Sequence, residues 1–276
     1  MSLLRLNFLF VTVLSTTLFG ACRIEDRFIF HPGHFSGRDP NHIGLAFEDV
    51  FFTTQDGIRL HGWFIPHPEA RATFVWFHGN AGSISDRLLN IKLLHDSIKT
   101  DIFIFDYRGY GRSEGSVSEL GTYLDGEAAI KYLLARDSAV ARRLVLFGRS
   151  LGAAVAAEMA SRFSSLGLIL ESPFVSIREM ARAIFPSLPI GWLLQTRYDT
   201  MEKVRRVKTP LLVLHGDQDN TVPFAQGKRV FEVASQPKKF HRIVGASHND
   251  TFIVGGEKYF AVLREFIKST LAEEKD

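Results

Sequence analysis

At 276 residues, with 46 % apolar and 23 % charged side chains, the chain is too apolar for disorder and long enough to bury a full core in one large α/β domain. Its formal charge is only +3, from 33 basic and 30 acidic residues scattered along the chain, and no stripe of alternating basic and aromatic residues marks a nucleic-acid footprint. The short basic clusters, Lys203, Arg205, Arg206 and Lys208, and Lys238 with Lys239, are expected on solvated faces, and a weak attraction to anionic lipid is compatible with this balance.

The N-terminal stretch MSLLRLNFLFVTVLSTTLFGAC carries one early positive charge at Arg5, an apolar run from Leu6 to Phe19, and small residues before Cys22. Residues 1–21 therefore read as a signal peptide or a membrane anchor. The run is short for a spanning helix, although counting from Ser2 to Ala21 brings it near the ~20 residues a bilayer needs. Cys22, the single cysteine, follows Phe19-Gly20-Ala21 in a pattern that resembles the lipobox of bacterial lipoproteins, with Phe19 where leucine is usual. A cleaved leader with a lipidated Cys22, an uncleaved anchor and plain secretion all remain open here. Each places the globular part outside the membrane, and the first two tether it there.

Residues 22–45, rich in Pro, Gly and His and without a steady period, are expected to form an extended surface connector. His31 and His34 have metal-like spacing but no further ligand nearby, so no metal is expected. The segment AFEDVFFTTQDGIRLHGWFI, residues 46–65, alternates around Asp56-Gly57 and predicts a hairpin of two antiparallel strands. Six short apolar runs follow, at 72–77, 102–105, 144–147, 166–170, 211–214 and 240–244, of the kind a sheet covered on both faces requires. Helical patterns such as SDRLLNIKLLHDSI, YLDGEAAIKYLLARD and AAVAAEMASRF lie between most of them. The alternation predicts a mostly parallel eight-stranded sheet flanked by helices, filling residues 46–276. One interval is too long for a normal connection: about residues 173–206 form an apolar insertion punctuated by Pro186 and Pro189. It is expected to form a lid or substrate wall at one end of the sheet, an extra helical pair packed on the domain being the alternative, and Phe185, Leu188, Ile190, Trp192 and Leu193 either line an acyl pocket or fill a core.

The stretch LVLFGRSLGAAVA, residues 144–156, joins a strand to a helix through Gly148-Arg149-Ser150-Leu151-Gly152, a G-x-S-x-G pentapeptide. A serine hydroxyl is a poor nucleophile without a base within hydrogen-bond reach and donors for the oxyanion that follows attack. A strained strand-to-helix turn exposes the serine, and the helix behind it aims its first amides at the developing charge. The acid and then the histidine should follow, each just past a later strand. LLVLHGDQDNTVPF supplies Asp217 and Asp219, between which spacing alone does not choose, and FHRIVGASHND supplies His248 as the base. His215 reads as structural. The loop WFHGNAGS after an early strand offers the Asn80 amide as a second oxyanion donor beside that of Leu151, with His78 bracing the loop. Asp106, Tyr107 and Arg108 are expected to brace the GYGRSEG loop, and Arg149 either guides an anionic headgroup or makes a structural salt bridge.

From about Phe28 to its end the chain resembles the α/β-hydrolase superfamily and, within it, the Bem46-like group. The resemblance rests on HGNAG at 78–82, DYRGYGRSEG at 106–115, GRSLG at 148–152, ESPF at 171–174, HGDQDNTVP at 215–223 and SHND at 247–250. The pattern H-G-x-x-D-x-x-V-P puts the acid at its fifth position, here Asp219. The resemblance implies an α/β-hydrolase fold with a short cap, commonly anchored by an N-terminal hydrophobic segment, and a serine hydrolase working by acyl transfer. Ser150 would be the nucleophile, His248 the base and Asp219 its partner, with the amides of Leu151 and Asn80 as oxyanion hole and no metal or organic cofactor. Expected substrates are small acyl esters, lipids or acylated proteins. Rival readings are a serine peptidase sharing the nucleophile elbow and a catalytically silent binding protein on the same fold.

Overall fold

The computed structural model describes residues 25–187, 191 and 194–273. The expectations for the leader, for Cys22 and for Leu188, Ile190, Trp192 and Leu193 concern residues outside that set.

The predicted hairpin forms: strands β2 (Glu48–Thr53) and β3 (Arg59–Ile65) pair antiparallel, with Val50 opposite Gly62 and Phe52 opposite Leu60. Asp56-Gly57 makes the turn, Gly57 taking a φ of 84° that a side chain would resist. Each of the six apolar runs becomes a strand: β4 (Thr73–Phe77), β6 (Asp101–Phe105), β7 (Leu144–Arg149), β8 (Gly167–Glu171), β9 (Leu211–Gly216) and β10 (Lys238–Ile243). With the hairpin they build an eight-stranded sheet in the order β10-β9-β8-β7-β4-β6-β3-β2, parallel from β10 to β6. Strands β4, β6, β7, β8 and β9 are buried along their whole length, which explains why they read as continuous apolar runs. Edge strand β2 instead alternates, with Val50 and Phe52 inward and Asp49 and Thr53 outward.

Two cores result, one on each face. Helices α1 (Leu88–Ile98) and α7 (Thr251–Glu273) cover one, packing Ile91, Leu94, Phe260 and Leu263 with Trp76, Phe147 and Ile169. Helices α2 (Glu119–Arg136), α3 (Leu151–Ala160) and α6 (Phe224–Glu232) cover the other, with Ala129, Ala153, Ala157 and Val230 against Phe77, Leu146 and Leu168. The alanine run of α3 lets that helix lie close on the sheet. In the cap interval stand α4 (Ile177–Ile184) and the short α5 (Thr200–Val204).

The connector differs from the expectation of a plain surface segment. Residues 25–29 are helical, Phe30 is 3 % exposed and meets Tyr198 edge-on, and Pro40–Ile43 form a 3-10 turn. His31–Pro32 (β1) pairs parallel with Ala81–Gly82 (β5), and the Glu25 carboxylate accepts hydrogen bonds from the Gln195 and Thr196 amides at 3.0 and 2.6 Å. The reason is apolar as much as polar: Phe30 gains a buried place, and the bare amides of residues 195 and 196 gain an acceptor. Lys203 also departs from the solvated face expected for it, pairing with Glu158 at 3.1 Å in a half-buried position. Among the described residues no helix is long and apolar enough to cross a membrane.

Candidate active site

Because the strands from β6 to β10 run parallel, the loops that leave their C-terminal ends gather on one rim. Ser150 stands there, between the end of β7 and the first residue of α3, with φ 53° and ψ −117°. That left-handed backbone is costly for a serine and persists only because its surroundings impose it. The imposing contacts are visible: the Ser150 amide donates to the Glu171 carbonyl at 2.9 Å, and the flanking glycines let neighbouring chain come close. A Cβ placed on Gly152 would lie 1.9 Å from the Phe77 carbonyl oxygen, and one on Gly148 would lie 2.3 Å from that of Gly152.

The loops after β9 and β10 bring Asp219 and His248 to this serine. His248 Nε2 lies 3.1 Å from Ser150 Oγ, and His248 Nδ1 lies 2.8 Å from Asp219 Oδ2. An ionised carboxylate only accepts, so Nδ1 carries the proton and Nε2 is free to accept from the serine hydroxyl. Asp219 is further fixed by the Thr221 and Val222 amides, which donate to Oδ1 at 2.9 and 2.8 Å, and by His215 Nε2 at 3.3 Å from Oδ2. Burial alone would raise its pKa; the hydrogen bonds from His215, His248 and the Val222 amide outweigh it and hold the carboxyl far below the usual carboxylate range. Asp217, the alternative acid, is engaged elsewhere: it accepts from Gly245 N at 2.8 Å and from Arg242 Nε at 2.7 Å, and so shapes the turn.

The loop after β4 passes beside the serine. A Cβ on Gly79 would sit 3.7 Å from Ser150 Cβ, and the next residue is Asn80. The Asn80 side chain is tied away from the serine, its amide group donating to the Ile29 carbonyl and its Oδ1 accepting from Tyr110 Oη at 2.9 Å and from His31 N at 3.3 Å. These bonds tie the Asn80 side chain to the connector and to Tyr110. Leu151, buried, opens α3 directly after the nucleophile position, where helix amides face outward along the dipole.

The supporting polar residues are structural. Arg149 donates to the His248 carbonyl at 2.6 Å and to Asn249 Oδ1 at 3.1 Å, and its Nε lies 3.1 Å from Glu171 Oε1. Glu171 also accepts from Thr251 Oγ1 at 2.5 Å and Tyr259 Oη at 2.6 Å, so one buried ion pair knits β7, β8 and the start of α7 around the histidine loop. This resolves the two readings of Arg149 in favour of the salt bridge. The Asp106 carbonyl accepts from Ser113 Oγ of the GYGRSEG loop at 2.7 Å, while the side chains reach elsewhere: Asp106 Oδ1 accepts from the Ile84 amide at 2.9 Å, and Arg108 bonds both Asp125 and Asp56. Tyr107 Oη donates to the His78 carbonyl at 3.2 Å, and His78, wholly buried, donates from Nδ1 to the Gly79 carbonyl at 2.7 Å. Sequence reasoning missed the carboxylates that grip the cap, Glu25 and Glu119. The latter accepts from the Arg197 and Tyr198 amides at 2.6 and 2.8 Å, across nearly eighty residues of sequence, a separation at which no spacing pattern exists to find it.

With this geometry in place, the chain belongs to the α/β-hydrolase superfamily. Within it the chain falls in the Bem46-like group, matching Protein bem46 of Schizosaccharomyces pombe at 32 % identity over 240 residues, 83 % of this chain and 79 % of that protein. An uncharacterized membrane protein of Saccharomyces cerevisiae is 37 % identical over 234 residues, covering 83 % and 82 % of the two chains. The sequence family described as serine aminopeptidase, S33, matches residues 68–195. The fold is shared with the Pyrococcus furiosus esterase Pf2001, at a TM-score of 0.72 and 23 % identity over 87 % of this chain and 99 % of that one.

Proposed function

We propose that this protein is a serine hydrolase that cleaves ester or thioester bonds through an acyl-enzyme. The observation that carries the reading is the unbroken line Asp219 to His248 to Ser150, at 2.8 and 3.1 Å, ending on a serine held in a strained backbone. In this reading His248 takes the proton from Ser150 Oγ as that oxygen attacks the acyl carbonyl. Asp219 fixes the tautomer and stabilises the imidazolium, the Leu151 and Asn80 amides receive the oxyanion, and His248 returns the proton to the leaving group. Water, activated by the same imidazole, then releases the acid. The leader and the membrane description carried by the yeast relative support a membrane-associated location and an acyl lipid or acylated protein as substrate.

A second reading, amide hydrolysis, has one observation in its favour, the aminopeptidase description of the matched family. The test compares wild type with Ser150→Ala on p-nitrophenyl esters, acyl thioesters and aminoacyl amides of graded size. Turnover of esters or thioesters that disappears in the variant is expected. Turnover confined to amides would replace the reading with a peptidase, and no turnover of any class would leave a binding protein. Asp219→Asn should lower kcat by about 10⁴-fold while leaving the fold intact, because the imidazole would then present the wrong tautomer.

A further inference from the structure

Among the described residues eight large apolar side chains are exposed, and all of them lie at the end of the sheet that holds Ser150. Leu89 and Leu120 occupy the first turns of α1 and α2, where the chain has just left β4 and β6. Val244 stands in the loop after β10, and Ile253 and Val254 in the first turn of α7. Ile184 and Phe185 close α4 in the cap interval, and Phe28, 77 % exposed, lies on the connector helix beside the cap. At the opposite end, where chain re-enters the strands, none of these eight side chains lies, and the exposed positions include Lys99, Arg142 and Lys208. Scattered apolar exposure needs no explanation, but segregation to one end marks an interaction surface.

The described chain begins at that same end. Glu25, whose carboxylate holds the Gln195 and Thr196 amides, is the first described residue, and the six peptide links from Phe19 to Glu25 can span at most about 21 Å. A leader seated in a membrane therefore keeps the apolar rim near the bilayer surface. We propose that this rim is a membrane-docking surface: the protein rests on a phospholipid bilayer with the catalytic end of its sheet against the lipid. Its apolar side chains enter the boundary between headgroups and acyl chains, as those of interfacial proteins do. Docking in this orientation puts Ser150 at the lipid surface, so the membrane supplies acyl substrate directly; that consequence rests on the hydrolase reading, while the docking itself does not.

The test uses the full chain reconstituted in phosphatidylcholine vesicles, with a benzophenone-bearing phenylalanine replacing Leu89, Leu120 or Ile253 at the rim, or Lys99, Arg142 or Lys208 at the far end. On irradiation the three rim positions should give lipid adducts by mass spectrometry and the far-end positions none. Equal adducts at both ends, or none at the rim, would describe a protein that is tethered without orientation and would overturn the proposal. Chain-to-chain adducts from the rim would assign the surface to a second copy and overturn it equally. In parallel, Phe28→Asp with Leu89→Asp should lower turnover of a long-chain ester in vesicles about tenfold, the order that a buried apolar side chain is worth, with a short soluble ester unaffected. Failure of the wild type on both esters would sink the hydrolase reading and leave the cross-linking result standing.

Discussion

Two serines at strand ends take a positive φ, Ser172 after β8 at 47° and Ser150 after β7, and of the two it is Ser150 whose Oγ lies 3.1 Å from His248 Nε2. Its φ of 53° turns the side chain out of the β7 to α3 junction, and the close approach of Phe77 to Gly152 holds it there. Gly152→Ala would force a methyl group to within 1.9 Å of a carbonyl oxygen, so we expect loss of soluble protein or destabilisation of more than about 3 kcal/mol, read by urea unfolding. His78 gives a pH prediction at the same scale. Burial lowers its pKa to about 4 from 6.5, so below pH 6.5 the unfolded chain takes up a proton that the folded chain refuses. Stability should therefore fall as pH drops from 6.5 toward 4, by about 3 kcal/mol from this residue. His78→Gln, which has no titrating ring, should show a flatter urea-stability profile over that range. Ser150 and His248 were legible as motifs. The choice of Asp219 over Asp217 came only from the pattern H-G-x-x-D-x-x-V-P, and its physical reason, the Arg242 and Gly245 bonds of Asp217, lies in a neighbouring loop that local sequence does not display.

Elements hold the site together through buried polar contacts. The pair Arg149 and Glu171 joins the end of β7 to the end of β8, and through Thr251 and Tyr259 to α7. Removing one partner strands the other charge in the core, so Arg149→Leu should cost roughly 3–5 kcal/mol. Because Arg149 also holds the His248 carbonyl, the surviving folded fraction should show a lowered kcat with KM little altered, measured on the best ester substrate. A variant with unchanged kcat would mean that the histidine loop is held by other contacts. The strands and the hairpin were readable because burial on both faces produces uninterrupted apolar runs and Asp-Gly marks the turn. The grip of Glu25 and Glu119 on residues 195–198 was not, since it pairs side chains with backbone amides of distant segments, and every non-proline residue has an amide.

At the scale of the whole molecule, the segment before the sheet is part of the domain. A chain starting at residue 46 would lose the burial of Phe30, the β1 to β5 pairing beside the Asn80 loop and the Glu25 bonds to the cap. It should unfold at lower temperature than a chain starting at residue 25 and lose activity out of proportion, because the loop that passes Ser150 loses its outer support. Equal melting temperatures and equal rates would show that residues 25–45 are a passive tether. The connector and the cap interval thus meet at the end of the sheet that holds Ser150.

Covalent trapping tests the central claim most directly. After brief exposure of the full chain to a fluorophosphonate, peptide mapping should find the phosphonyl group on Ser150 Oγ of wild type, none in Ser150→Ala, and much slower labelling in His248→Ala. Labelling that is absent from wild type, or unchanged when His248 is removed, would contradict it.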